Sequence, residues 1–350
     1  MKPLRRVLIV RLGALGDIVH AIPVAAALRR ASPDVEIDWL VSARHREILD
    51  AVTCLDRTIA VNDRGSARGG RALVSAVREI RARRYDVVLD LQGLIKSAVL
   101  ARFSGASRVI GFSRRYLREP LARVFYTQRH DPGGAGLYAR TEQRHIVRIN
   151  LGMLERLDIE AGPPEFPLRT QPSAGAEGVR QAVGGRYALL NPGAAWPNKR
   201  WPTQRFGALA RALLARLRLP SVVLWGPGER TLGEQIVGHS AGAALLAPQT
   251  TMADLMALAR GAAVMVSGDT GPTHVAAAVG TPIVGIYGPT RSQRNGPWSP
   301  LDVAVSRTDV CACLHVRRCV AAQWCLLDLP VEEVLDGVER RLALTAHARG

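Results

Sequence analysis

Val266-Ser267-Gly268-Asp269-Thr270-Gly271-Pro272-Thr273-His274 reads as the end of a strand, a tight turn and the start of a helix. The apolar run 262–266 supplies the strand, and the run from His274 onward supplies the helix. A helix start leaves backbone N–H groups unpaired and carries partial positive charge, which suits a phosphate. Thr270 and Thr273 can add hydroxyls, and Gly271 lets the backbone approach a ligand. The same residues also fit a plain capped turn in which Asp269 or Thr270 only satisfies the helix.

This unit recurs outward in both directions. Strands over 187–190, 221–225 and 244–247 alternate with helices over 206–217, 229–237 and 252–260, and a strand over 283–287 follows. The first half repeats the pattern, with strands over 7–10, 37–41, 58–61, 87–91 and 108–111 and helices over 18–30, 73–84 and 95–102. Apolar strands alternating with helices predict parallel sheets covered on both faces. The Pro- and Gly-rich run 160–175 has no period and reads as a linker. The expectation is an α/β chain of two doubly wound Rossmann-like domains, 1–162 and 176–330. A closing helix over 331–350 is free to pack back on the first domain. Such domains hold ligands at strand C-terminal ends, so the site is expected in a cleft where the two face each other.

The 350 residues carry 47 Lys and Arg against 30 Asp and Glu, a net charge of +17. Residues 1–160 hold 28 cations and 17 anions, so the first half is the more basic. That balance favours a phosphorylated substrate, an anionic lipid or nucleic acid, and it also fits a solvated Arg-rich surface. No nucleic-acid module is recognisable and aromatics are only 5%, which argues against nucleic acid. The only lysines are Lys2, Lys96 and Lys199, and the last two sit inside motifs where a compact ammonium differs from a guanidinium. No apolar run nears the ~18 residues of a membrane span. The opening residues have too short an apolar core for a signal peptide, so the expected location is cytoplasmic.

The turn after the first strand, Arg11-Leu12-Gly13-Ala14-Leu15-Gly16-Asp17, is G-x-x-G-D rather than G-x-G-x-x-G. No acidic residue ends the second strand, and both facts argue against a nicotinamide cofactor. Asp17 stands where the glycines bring the backbone close to a cleft, and it can take a proton from a substrate hydroxyl. It also fits the N-cap of helix 18–30. The loop from Asn191 to Pro202 contains Lys199-Arg200, suited to a diphosphate, or it is a surface loop with Trp201 buried. In Leu224-Trp225-Gly226-Pro227-Gly228-Glu229, Glu229 can accept hydrogen bonds from a ribose, or it only stabilises its helix.

Together these blocks resemble glycosyltransferase family 9, the lipopolysaccharide heptosyltransferases, over nearly the whole chain. The pieces that carry the resemblance begin with residues 11–17, His20 and Pro23. Asp90-Leu91-Gln92-Gly93-Leu94-Ile95-Lys96-Ser97-Ala98 and the block from Arg118-Glu119-Pro120 to Tyr126 follow. Lys199-Arg200-Trp201-Pro202, residues 269–274 and Tyr287-Gly288-Pro289-Thr290 complete the set. The first-half blocks look most like heptosyltransferase I, whereas Asn191-Pro192-Gly193-Ala194 and the Lys199 block look closer to the second enzyme of that pathway.

The resemblance implies a GT-B fold and an inverting, metal-independent transfer from ADP-heptose, with no cofactor. It implies Asp17 as general base, with Gly13 and Gly16 beside the acceptor. Lys199, Asp269, Thr270, Gly271 and His274 would hold the donor and offset charge on departing ADP. Glu229 would meet the ribose and Thr250 would lie near the adenine. Lys96 and Arg118 would face the acidic Kdo–lipid A or inner-core acceptor. The family also implies docking on the anionic inner face of the inner membrane without a spanning helix. A family 9 enzyme with another acceptor or nucleotide sugar is the alternative. Three departures stand out. Ala194 and Ala195 replace hydroxyl residues before the lysine, Pro272-Thr273 replaces Leu-Ser, and Arg148 is displaced by one between His145 and Asn150.

Cys54 stands alone as a packing thiol. Cys311, Cys313, Cys319 and Cys325 fall within fifteen residues. Four thiols can hold a structural zinc, but C-x-C-x5-C-x5-C is not a standard zinc spacing. Reduced packing thiols and labile disulfides are the other readings.

Overall fold

The computed structural model describes residues 4–62 and 67–347, with backbone alone for 67–73. Lys2 and residues 348–350 of the closing segment lie outside the described residues. The chain forms two compact units that meet in sequence at Arg169 and Thr170.

The first unit is built on six parallel strands, β1 (Arg6–Val10), β2 (Glu36–Ser42), β3 (Arg57–Val61), β4 (Val87–Asp90), β5 (Arg108–Phe112) and β6 (Gln128–His130). Their order is β3-β2-β1-β4-β5-β6. Val7, Leu8, Ile9 and Val10 of β1 are all fully buried, as a central strand covered on both faces requires. The second unit holds β7 (Ala188–Asn191), β8 (Ser221–Val223), β9 (Ala244–Leu246), β10 (Val264–Gly268), β11 (Ile283–Tyr287) and β12 (Val303–Ser306). Their order, β12-β11-β10-β7-β8-β9, is the same winding again. Both are the doubly wound arrangement in which the strand order reverses once, between β1 and β4 and between β7 and β10. Two such units in one chain make the GT-B composition.

Two strands were not legible in the sequence. β6 is three largely polar residues, and β12 alternates buried and exposed positions at a sheet edge. The expected helix 18–30 is instead two helices, Leu15–Val19 and Ile22–Ala31, because Pro23 opens a new first turn. The linker is not free along its length. Residues 167–169 are tied to the first unit, with Thr53 N–H donating to the Pro167 carbonyl at 2.9 Å and Arg169 N–H to that of Ala51 at 2.8 Å. Arg30 is also paired with Glu165.

The closing helix, Val331–His347, buries Val334, Leu335 and Val338 in the core of the second unit, with Phe206, Leu213 and Val264. Gly337 makes this close approach possible, since a Cβ there would lie 3.2 Å from Val305 and 3.3 Å from Val284. The sequence reading offered this helix to the first domain; its apolar stripe is buried within the second. Among the described residues no helix is long and apolar enough to cross a membrane.

Candidate active site

Each unit has one reversal of strand order; Gly13, Gly16, Asp17 and Lys96 follow the strands beside it in the first unit, and Lys199, Asp269, Thr270, Gly271 and His274 those in the second. In the first unit, Gln92 after β4 accepts the N–H groups of Leu12 at 2.9 Å and Gly13 at 3.2 Å after β1. One side-chain amide thus fixes two neighbouring loops. Arg11 is buried, donates to the Leu91 carbonyl and pairs with Asp17 at 2.8 Å. The Asp17 side chain remains 35% exposed, enough to meet a substrate hydroxyl. Asp17 is not an N-cap. It is the third residue of helix Leu15–Val19, and its carboxylate accepts the N–H of Ala14 at 3.2 Å. A Cβ at Gly13 would lie 2.9 Å from the His45 ring, which would have to shift to make room. Gly16 is buried in the same turn.

A second carboxylate, at the end of the neighbouring strand β4, has a different part. Asp90 is fully buried and accepts from Gln92 N–H, Gly93 N–H, the Ser97 hydroxyl and the Tyr126 hydroxyl, at 2.8–3.3 Å. Burial pushes its carboxyl above the usual range against the pull of these donors. It organises the 90–97 turn, and no solvent reaches it. Lys96 is half-buried on helix Ile95–Phe103, and Arg118 is exposed on the loop after β5. The two loops are joined because Glu119 accepts the Ile95 N–H at 2.7 Å.

In the second unit the centre is Asp269, at the end of β10. Lys199 Nζ lies 2.6 Å from its Oδ2, and His274 Nε2 lies 3.1 Å from its Oδ1. Asn295 adds a contact at 3.4 Å. Burial opposes ionisation of Asp269, but Lys199 and His274 reverse that and hold it well below the usual carboxylate range. Lys199 also sits 4.6 Å over the Trp196 ring, a cation–π contact that steadies the ammonium.

The helix Gly271–Ala278 begins directly after this cluster, with Thr270 in the N-cap position. Its first turn is bound inward. Thr273 donates to the Gly268 carbonyl at 2.6 Å, and Asn191, at the end of β7, bonds Ser267 at 2.8 Å and Thr270 at 3.0 Å. Glu229 occupies the N-cap position of helix Arg230–His239 after β8. Its carboxylate accepts Gly226 N–H at 3.3 Å and lies 3.5 Å from Arg200. It lies over Gly193, where a Cβ would be 2.0 Å from Oε2. Thr250 stands apart, half-buried after the edge strand β9.

The fold therefore brings Lys199, Asp269, Thr270, Gly271 and His274 into one cluster, with Glu229 on the adjoining strand end. Sequence reasoning assigned no part to Asn191, Gln92 or Asn295. Asn191 left a signal, a polar residue ending a buried apolar strand; Asn295 left none.

The four clustered cysteines are free thiols. Among the described residues no three His, Cys, Asp or Glu side chains converge so as to hold a metal ion. Cys313 and Cys319 face each other as a pair, sulfurs 3.0 Å apart.

Known proteins share this fold. The profile of glycosyltransferase family 9 (heptosyltransferase) matches residues 73–325. Lipopolysaccharide heptosyltransferase 1 of Pseudomonas aeruginosa is 31% identical over 329 residues, covering 90% of this chain and 87% of that protein. The structure of Escherichia coli heptosyltransferase WaaC with ADP superposes with a TM-score of 0.75 at 25% identity, covering 96% of this chain and 99% of that one. The same enzyme with ADP-2-deoxy-2-fluoro heptose gives 0.72 at 26% identity, covering 95% and 99%. By its matched span and its likeness across nine-tenths of its length, the chain belongs to glycosyltransferase family 9, the heptosyltransferases.

Proposed function

We propose that this chain transfers heptose from ADP-L-glycero-D-manno-heptose to the Kdo/heptose inner core of lipopolysaccharide, with inversion and without a metal. The observation that carries the reading is the Lys199–Asp269–His274 cluster at a helix start, at the strand reversal of a family 9 fold. In the transfer, a carboxylate oxygen of Asp17 takes the proton of the acceptor hydroxyl. The hydroxyl oxygen then bonds to the anomeric carbon as the bond from that carbon to the diphosphate oxygen breaks. ADP leaves with the bonding pair, and Lys199 and the N–H groups at the start of helix Gly271–Ala278 offset its charge. Asp269 holds Lys199 in position for this. Glu229 accepts from the ribose hydroxyls, and Thr250 borders the adenine.

Lys96 and Arg118 meet the phosphates of the lipid acceptor beside Gly13 and Gly16. The net charge of +17 supports peripheral contact with an anionic membrane face from the cytoplasmic side. The test is transfer by the full chain from ADP-heptose to a panel of Kdo–lipid A and heptosylated acceptors, with products identified by mass. A heptose-sized gain on one of them is expected. No gain from ADP-heptose, together with transfer from another nucleotide sugar, would overturn the donor.

A further inference from the structure

The cysteine-bearing segment is used by none of the chemistry above, yet it is bonded to the loop that carries Lys199. Residues 311–324 contain no helix or strand. Cys313 is buried, Cys319 is half-buried, and their sulfurs are 3.0 Å apart. Between them, His315 N–H donates to the Pro289 carbonyl at 2.7 Å, and the Val316 carbonyl accepts from Asn198 at 3.0 Å. Asn198 precedes Lys199. We propose that Cys313 and Cys319 form a reversible disulfide by exchange with a small-molecule disulfide, and that the closed ring stiffens the loop carrying Lys199.

Access to Cys319 and the 3.0 Å sulfur separation favour this pair among the four thiols. Cys319 meets the reagent first: its thiolate bonds to one sulfur of the small disulfide and expels the other half as a thiolate. Cys313 then attacks the Cys319 sulfur and expels the second half. Two protein thiols lose two protons and two electrons, and one small disulfide becomes two thiols. The facing Cys319 sulfur and the Val320 N–H, which donates to Cys313 at 3.0 Å, hold the Cys313 thiol below the usual value, which suits the resolving step. The contact with Cys313 pushes the Cys319 thiol up, so Cys319 leads by its exposure, while burial and then Cys311 push the Cys325 thiol up to about 12. The ring spans only residues 313–319, so it restrains few unfolded conformations and the bond stays easy to reduce.

The experiment equilibrates the full chain with excess oxidised glutathione, blocks remaining thiols and maps peptides by mass, alongside a sample reduced with dithiothreitol. The expected result is a Cys313–Cys319 link, a fall from five reactive thiols to three, and slower amide hydrogen exchange over residues 196–200 in the oxidised form. Cys319→Ser removes the link and the slowing together. Full alkylation of Cys313 after oxidation, or its pairing with Cys311 or Cys325, overturns the assignment. A link that leaves exchange over 196–200 unchanged overturns the coupling to the loop. The mapping needs only the unaltered chain and no nucleotide, so it stands or falls separately from the proposed transfer reaction.

Discussion

Lys199→Ala tests the centre of the second unit in energetic terms. The ammonium lies 2.6 Å from Oδ2 of Asp269 and 3.3 Å from its carbonyl oxygen, with the two side chains 14% and 7% exposed. At an effective dielectric constant near 20, unit charges at that distance attract by about 6 kcal/mol. Taking the ammonium out of water offsets part of this, and His274 and Asn295 still touch the carboxylate once the lysine is gone. The variant is expected to lose about 3 kcal/mol, the low end for stranding one member of a buried pair.

Urea unfolding followed by tryptophan fluorescence reads this well, because five of the six tryptophans lie in the second unit. The acid limb gives an independent check. In the wild type Asp269 titrates far below its ordinary value, so its stabilisation is present above about pH 4 and lost only in stronger acid. Without Lys199 that loss begins at higher pH. Lys199→Ala/Asp269→Asn removes both charges and is expected to be less destabilised than the two single losses summed. A drop below about 1 kcal/mol for Lys199→Ala, with an unmoved acid limb, would refute the account of a buried pair.

Asp17→Asn keeps the shape of the turn and is expected to reduce turnover by about 10²–10⁴-fold while ADP affinity by calorimetry stays unchanged. Normal turnover would remove Asp17 from the chemistry. Glu142 is buried after β6; burial raises it, but Tyr116, Arg144 and the Gly136 N–H bring it down from 4.5 to about 2. Its folded value is the lower one, so it stabilises fully above about pH 4.5 and the gain, about 3 kcal/mol, is lost as the pH falls to 2. Glu142→Gln should flatten that limb in pH-dependent melts; an unchanged slope would count against it. EDTA is expected to leave transfer from ADP-heptose intact, and abolished turnover would require a metal in the donor site.

The sequence by itself determined the class of fold and the chemistry of its strand-end turns. Apolar runs spaced by helices permit only parallel, doubly covered sheets, and 266–274 with 11–17 already carry glycine, hydroxyl and charge at the turns. Cap and base readings of Asp17 were not separable there, because both need only an acid beside a helix start. Strand order separated other questions. β1 lies next to β4, and β7 next to β10, through pairings between residues some 75–80 apart that no local pattern encodes. Those pairings put Gln92 against Leu12 and Lys199 against Asp269. Tertiary contact likewise left Asp90 buried and Asp17 partly exposed, and set Cys313 against Cys319. Spacing along the chain records which groups exist; only folded distances decide which of them share a charge, a proton or a sulfur contact.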